Sequence, residues 1–181
     1  MPNFPLTYPT NTKLAPKSID FTSKTIATQF RSPYTGKTQT YRYGGQWWEL
    51  TVTYAPLFQS DAEELTGFLN ALAGTSGTFT YKLPSKFLIS ANVGITTTAT
   101  GNDFTVSSGT VQVGKYGYDG SSNRLVQFTT ATSLFPKLSP SISYTINTTS
   151  GTNLRLATND INFSVDEMML TGITVPFVEA I

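Results

Sequence analysis

The side chains that perform most enzyme chemistry are missing from this sequence of 181 residues. It contains no histidine and no cysteine, so the commonest general base, the commonest metal ligand and the thiolate nucleophile are absent. Triads that depend on histidine and zinc sites built from cysteine are therefore excluded. The residue types allow a Ser–Lys pair, but the sequence has neither a nucleophile elbow nor a Ser-x-x-Lys frame in a helical context.

Residues 36–38 (GKT) resemble the end of a phosphate-binding loop. That motif needs another glycine five residues earlier, where this chain has Arg31. It also needs a helix after the threonine, because the amides at the start of that helix hold the phosphates. Residues 39–43 (QTYRY) have the pattern of a strand instead. We therefore reject nucleotide binding.

One set of carboxylates could hydrolyse a glycoside, a reaction that needs two such groups across a cleft. Glu49 stands beside Trp47 and Trp48, which could stack on a sugar ring, and Asp166 or Glu167 could supply the second carboxylate. The alternative interpretation is structural. Trp48 would lie in the core, and Trp47 and Glu49 would lie on the opposite face, packed against a strand, a loop or another subunit. We favour the structural interpretation.

Residues 119–123 (DGSSN) do not form a calcium loop, because their spacing is wrong and the closing glutamate is missing. With no remaining candidate, we predict that the protein is not an enzyme. We also predict that it has no catalytic residues, no metal site and no cofactor.

The elements that would position these residues begin with three predicted strands, Ile26–Arg31, Thr38–Tyr43 and Gln46–Tyr54. Gly and Pro residues at 32–36 and 44–45 predict the turns between them. In the third strand alternate residues share a face, which indicates a sheet with one side buried. The predicted buried side chains are Trp48, Leu50, Val52 and Tyr54.

One amphipathic helix should follow, with Ser60 as its cap and Glu63 bonding back to the cap. Gly74 is expected to end it in the left-handed conformation, before a return strand at Thr78–Tyr81. Its apolar stripe, which should pack on the Trp48 face, consists of Leu65, Phe68, Leu69 and Leu72.

The middle of the chain has the pattern of a small all-β module. Its predicted strands are Phe87–Gly94, Asp103–Val106 and Ser143–Asn147, with a hairpin between Val111–Val113 and Arg124–Thr129 around a Gly-rich loop. Further strands at Leu154–Leu156, Ile161–Val165 and within Met168–Phe177 should rejoin the first sheet.

We therefore predict a mainly β fold, a β-sandwich with one amphipathic α-helix and a small inserted all-β module. Residues 1–17 would be an extended, Pro-rich arm. Residues 18–83 and 152–181 would form a discontinuous sandwich, and residues 84–151 the insertion.

Composition limits the partners. Charged residues make up 13% of the chain, against a usual share of about 25%, and the net charge is +1. Lys and Arg are spread thinly along the sequence, so we predict no nucleic-acid partner and no binding to anionic membranes. No stretch approaches the ~20 apolar residues of a membrane helix, and the N-terminus lacks the pattern of a signal peptide.

Several segments resemble tail proteins of tailed bacteriophages. In that group S-P-(F/Y)-T-G and G-G-x-W-W precede a helix that ends in L-x-G-x-x-G-T-F. The corresponding segments here are 32–36 (SPYTG), 44–48 (GGQWW) and 72–79 (LAGTSGTF). Residues 154–159 (LRLATN) and 163–167 (FSVDE) are similar to the family's closing segment. Together the matching pieces cover about half of the chain.

The resemblance implies a structural protein of the distal tail or minor tail class, a β-sandwich with one helix. Such proteins form a ring, usually of six copies, between tail tube and tip, where they contact the tube, hub or fibre proteins. They belong to the virion tail and are assembled in the host cytoplasm. The alternative is a carbohydrate- or receptor-binding module of a phage tail, in which the inserted module would bind the ligand.

A ring subunit needs contacts with its neighbours, and low charge density is typical of such interfaces. The Pro-rich arm and the third predicted strand are the expected contact regions. The predicted interface residues are Phe4, Leu6 and Tyr8, as anchors of the arm, together with Tyr34, Trp47 and Glu49.

Overall fold

The structure, a computed structural model, describes residues 4–10, 14–160, 164–165, 169–171 and 173–180. Within these ranges it contains two six-stranded sheets, a three-stranded sheet and one α-helix. The chain is mainly β, a β-sandwich with one helix, as the sequence predicts. Among the described residues, no helix has the length and apolar character needed to cross a bilayer.

The elements have the following bounds. The helix, α1, spans Gln59–Ala71. The strands in chain order are β1 (Leu6–Thr7), β2 (Pro16–Arg31), β3 (Thr38–Tyr54), β4 (Leu57–Phe58), β5 (Thr78–Tyr81), β6 (Val93–Thr97), β7 (Phe104–Ser108), β8 (Tyr116–Asp119), β9 (Leu125–Phe128), β10 (Leu134–Phe135), β11 (Ser143–Asn147), β12 (Thr152–Leu156), β13 (Ser164–Val165), β14 (Met169–Thr171) and β15 (Thr174–Glu179).

The first sheet has the order β1-β5-β12-β15-β3-β2 and so joins strands from both ends of the chain. β12 and β15 lie in this sheet, as predicted for two of the strands near the C-terminus. The prediction is wrong for the strands between them, because β13 pairs with β14 and β14 with β4 in the three-stranded sheet. The alternation predicted for β3 is confirmed, since Trp48, Leu50, Val52 and Tyr54 are each at most 3% exposed. Leu65 and Leu69 of α1 are buried in the same core cluster.

The helix ends differ from the prediction. Phe58 occupies the N-cap position in extended backbone and makes no side-chain cap hydrogen bond, whereas Ser60 lies inside the helix. The side-chain Nε2 of Gln59 donates to Glu63 Oε1 (3.0 Å), so Glu63 bonds to the first residue of the helix and not to a cap. After the last turn Ala73 (φ 50°) enters the left-handed region one residue before Gly74 (φ 70°).

The predicted three-stranded meander is wrong. β2 and β3 are single strands of 16 and 17 residues. Gly44 and Gly45 lie within β3, where the pairing shifts from Thr25↔Gln46 to Ala27↔Arg42. The extra residues on β3 form a bulge. Glycine can adopt the backbone conformation of a bulge within a strand as readily as that of a turn.

The second sheet has the order β10-β9-β8-β11-β6-β7 and its own core cluster. The strand Ser143–Asn147 has the predicted bounds. The predicted strand from Phe87 is wrong, because residues 85–87 form a 3-10 turn and β6 begins at Val93. Residues 111–113 are not a strand either, since β8 supplies the partner of β9.

The turn between β8 and β9 is closed by a buried carboxylate. Asp119 is 1% exposed and accepts hydrogen bonds from the backbone N–H groups of Ser121 (3.1 Å) and Ser122 (3.0 Å). Both serine hydroxyls also bond to it. These bonds satisfy the carboxylate locally, as expected for aspartate in a tight turn.

An ion pair joins the two large sheets. Arg124 Nε lies 3.2 Å from Glu179 Oε1, and the side chains are 19% and 1% exposed. The guanidinium also donates to the carbonyl oxygen of Gln46 (2.8 Å). Beside it, Trp48 Nε1 donates to the carbonyl oxygen of Leu125 (2.9 Å). The orientation of one sheet on the other therefore depends on directed polar bonds as well as on apolar packing.

Three buried tyrosines, Tyr54, Tyr81 and Tyr118, belong to the larger core cluster, and the half-buried Tyr8 packs against it. Tyr8 and Tyr54 share a hydrogen bond (2.7 Å), and Tyr118 accepts one from the Leu83 N–H (2.6 Å). Burial raises the pKa of Tyr118 to about 12 and also raises the pKa values of Tyr54 and Tyr81, because the phenolate would lose its hydration.

This pKa shift predicts a specific dependence of stability on alkaline pH. A raised folded-state pKa contributes stability that is complete below the unfolded value near 10 and is lost as pH rises toward the folded value near 12. Each such group lowers the free energy of unfolding by about 1.4 kcal/mol per pH unit in that window. Replacing Tyr118 with Phe should reduce the slope by this amount, as measured by urea denaturation between pH 10 and about 11.5.

The control is Tyr34→Phe, because Tyr34 is 97% exposed. It should leave the slope unchanged. Equal slopes in the wild type and Tyr118→Phe would contradict the assignment. The constant loss from the missing Leu83 hydrogen bond does not interfere, since it shifts the free energy at every pH alike.

Candidate interaction surface

The hairpin of β2 and β3 extends beyond the rest of its sheet. β15 pairs with β3 only over residues 49–53, whereas β2 follows β3 to the tip. From residue 25 to residue 44, every side chain that the structure describes is exposed except Ser32, which is half-buried. The part of β2 at residues 26–31 extends roughly 20 Å at ~3.3 Å per residue. We call residues 26–44 the distal hairpin.

The two faces of the distal hairpin differ in chemistry. Residues opposite each other in an antiparallel ladder share a face, as do alternate residues along one strand. Because Tyr41 pairs with Thr28, it lies on the same face as Phe30, and the two are 55% and 69% exposed. Ile26, beside the bulge, is 46% exposed. The opposite face carries Gln29, Arg31, Thr38 and Thr40.

The tip is a tight turn, as predicted. The N–H of Ser32 donates to the carbonyl oxygen of Lys37 (2.9 Å), and the N–H of Gly36 donates to that of Ser32 (3.0 Å). Gly36 has a φ of 67°, which favours glycine at this position. Tyr34 is 97% exposed at the tip.

The backbone edges of the distal hairpin are open within the described part of the chain. β2 is the last strand of its sheet, and β3 has no partner from β15 beyond Glu49. Open edges can pair with a strand of another chain. The hairpin therefore offers both an apolar face and unpaired backbone groups to a partner.

Trp47 and Glu49 lie at the base of this hairpin, on the sheet face opposite Trp48. Trp47 Nε1 donates to Glu49 Oε1 (3.3 Å), and Lys24 Nζ is 3.3 Å from Glu49 Oε2. The carboxylate is therefore engaged by its neighbours on the sheet. The other carboxylates of the glycosidase hypothesis, at 166–167, lie outside the described residues. No group of His, Cys, Asp or Glu that could hold a metal ion occurs in the described chain.

The described part of the arm lies on the chain's own core. Leu6 pairs in parallel with Phe79 of β5. Tyr8 packs edge-on against Phe68 (5.5 Å between ring centroids). Phe4 is 41% exposed and sits over Gly77, where an added Cβ would come within 2.7 Å of its ring. The use of Leu6 and Tyr8 on a neighbouring subunit stays a prediction, and it would require the arm to leave this position.

The predicted interface residues therefore fall in three places: the arm, the hairpin base and the hairpin tip. Only Tyr34 belongs to the distal hairpin. Ile26, Phe30 and Tyr41 are not among the predicted interface residues. The alternation of Ile26 and Phe30 with polar residues was the available signal, because it indicates a partly apolar strand face. The described part of the chain has no second helix to cover that face.

No model of a known protein family matches the chain, and no curated protein is significantly similar to it. The tail-protein family therefore stays an inference from the residue patterns given above. The open edges and apolar face of the distal hairpin do not depend on that inference.

Proposed function

We propose that this protein is a structural subunit of a bacteriophage tail that assembles with copies of itself into a ring at the tail tube or tip. The resemblance of the SPYTG and GGQWW segments to tail proteins supports the assignment to a phage particle and to its tail tube or tip. The distal hairpin supports the mode of action, which is assembly rather than catalysis. From the resemblance we also expect a ring of six copies that contacts other tail proteins.

The observation that carries the proposal is the exposed apolar face of the distal hairpin. Phe30 and Tyr41 lie on the same face of the hairpin and are 69% and 55% exposed, although the chain has two cores in which aromatic residues are buried. An aromatic side chain can bury about 150–250 Å² in an interface. Exposed apolar patches of this kind are typical of surfaces that another protein covers.

The geometry favours a contact between different surfaces of two copies. A hairpin that extends roughly 20 Å from the body can lie across a neighbouring subunit while its own body receives the hairpin of the next one. Such head-to-tail contacts generate a closed ring when the rotation between copies closes. The low charge density of the chain suits a large interface of this type.

Replacing Phe30 and Tyr41 with Ser together should prevent self-assembly. Both side chains are exposed, so folding should be retained while the apolar contact is lost. We expect the wild-type protein to sediment as a closed oligomer at micromolar concentration and the double variant as a monomer with an unchanged circular dichroism spectrum. Analytical ultracentrifugation measures the first difference directly.

The matched control replaces two exposed apolar residues outside the hairpin, Val113 (59%) and Ile142 (47%), with Ser. This variant should assemble like the wild type. A wild-type protein that stays monomeric at every concentration, or a hairpin variant that assembles normally, would contradict the mode of action. In the intact particle, electron cryo-microscopy should place the chain in a ring of the tail, and its absence from the particle would contradict the tail assignment.

A further inference from the structure

A cavity of about 530 Å³ lies where the chain passes from the first sheet to the second. One wall is the connecting segment from Lys82 to Ser90, and the other is formed by Gln112, Lys115 and Thr148. Its volume falls within the range of about 300–1,000 Å³ that is usual for small-molecule sites. None of the predicted or proposed assembly residues lines it.

The fold concentrates positive charge in this cavity. Lys82, Lys86 and Lys115 all line it, and no Asp or Glu of the described chain does. Yet the whole protein has a net charge of only +1. Lys115, which is 29 residues from Lys86 in sequence, is thus brought to the same concave surface as Lys82 and Lys86. A cleft lined by one sign of charge focuses the electrostatic field and raises the local concentration of oppositely charged ligands.

Two of these lysines are held in place by other groups. Lys115 Nζ donates to the carbonyl oxygen of Lys86, which fixes the half-buried Lys115 side chain against the opposite wall. Lys86 Nζ lies 4.9 Å from the centroid of the Phe87 ring. Ammonium groups positioned in this way lose less conformational entropy when they bind an anion.

The neutral lining adds groups that pair with hydroxyls. Ser90 and Gln112 are joined by two hydrogen bonds, from the Ser90 N–H to Gln112 Oε1 (3.0 Å) and from Gln112 Nε2 to Ser90 Oγ (2.7 Å). This bridge ties the two walls together. Ser85 and Thr148 contribute further hydroxyl groups to the lining. The cavity therefore presents cationic donors beside neutral donors and acceptors.

We propose that this cavity binds an acidic saccharide, in which phosphate or carboxylate groups meet the three ammonium groups and sugar hydroxyls meet the serine, threonine and glutamine side chains. The ammonium groups can accommodate either type of acid, because lysine acts as a compact point charge without a fixed geometry. A neutral sugar would leave the three lysine charges that line the cavity without an anionic partner. This inference does not depend on self-assembly.

Isothermal titration calorimetry on the full chain tests the proposal with three probes: trigalacturonic acid as the carboxylated saccharide, fructose 1,6-bisphosphate as the phosphorylated one, and neutral maltotriose. At least one acidic probe should bind, and the one that binds more tightly identifies the acid group. The Kd should rise when salt is raised from about 50 mM to about 500 mM, since salt screens these charges. Maltotriose should not bind.

Lys82→Gln combined with Lys86→Gln should weaken binding of the acidic probe by about tenfold or more. The matched control combines Lys17→Gln with Arg155→Gln, both exposed and outside the cavity and the distal hairpin, and lowers the net charge by the same amount. It should change the Kd by less than about twofold. Equal losses in the two variants, binding of maltotriose as tight as that of the acids, or no binding of either acidic probe at millimolar concentration would each overturn the proposal.

Discussion

Replacing Glu179 with Gln is expected to lower the free energy of unfolding by about 3–5 kcal/mol, because it removes one partner of a buried ion pair and leaves the other unpaired. Arg124 is only 19% exposed and would keep its charge at the junction between the sheets. The backbone N–H of Trp48, which donates to Glu179 Oε2 (3.3 Å), would also lose a charged acceptor. Urea denaturation at neutral pH measures the loss.

The control is Glu49→Gln, which removes the other ion pair described above. Its partner Lys24 is 44% exposed and Glu49 37% exposed, so water solvates both charges. This change should cost less than about 1 kcal/mol. If the denaturation midpoints of the two variants moved by the same small amount, the buried pair would not be important for holding the sheets together. A double-mutant cycle with Arg124→Met gives the coupling energy directly.

Replacing Trp48 with Ala should cost about 3–5 kcal/mol, as expected when a large aromatic side chain is removed from a packed core. Trp48 is 3% exposed and contacts the Tyr116 and Phe135 rings, with centroid distances of 5.6 and 4.8 Å. The loss would include the hydrogen bond from Trp48 Nε1 to the carbonyl oxygen of Leu125. The residues around Trp48 belong to both sheets, so a large cavity would open between them.

The neighbouring tryptophan gives a matched control. Trp47 lies on the outer face, where its indole bonds to Glu49. Trp47→Ala should therefore destabilise the protein much less than Trp48→Ala, in chemical denaturation monitored by circular dichroism. Equal losses would mean that the two faces of β3 are assigned wrongly. An intermediate variant, Trp48→Phe, should lose the hydrogen bond but keep part of the packing, at a cost of about 1–3 kcal/mol.

Local patterns in the sequence predict much of the first sheet. Alternation identifies the buried face of β3, and the strand Thr78–Tyr81 has its predicted bounds. Both signals are local, because strand periodicity and turn residues act over a few neighbours. The predicted turn at Gly44 and Gly45 is wrong because glycine permits a bulge as well as a turn, and only the pairing partner decides between them.

The distal hairpin and the basic cavity depend on long-range structure. Phe30 and Tyr41 look like ordinary strand residues, and their exposure follows from the end of β15 at Glu179, far along the chain. Likewise, nothing in the sequence indicates that Lys115 lies beside Lys82 and Lys86. Lys86 and Lys115 become neighbours only when the chain segments before β6 and β8 meet. Without the fold, neither surface could have been predicted.

The low stability expected of the distal hairpin also affects how accurately subunits assemble. A ladder of two strands without a buried face is only marginally stable in water, so it can open while the body stays folded. When a neighbour covers it, ordering the hairpin consumes part of the contact energy. Each single junction of the proposed ring would then be weak and readily reversible, and a misplaced copy would dissociate before further copies fix it in place.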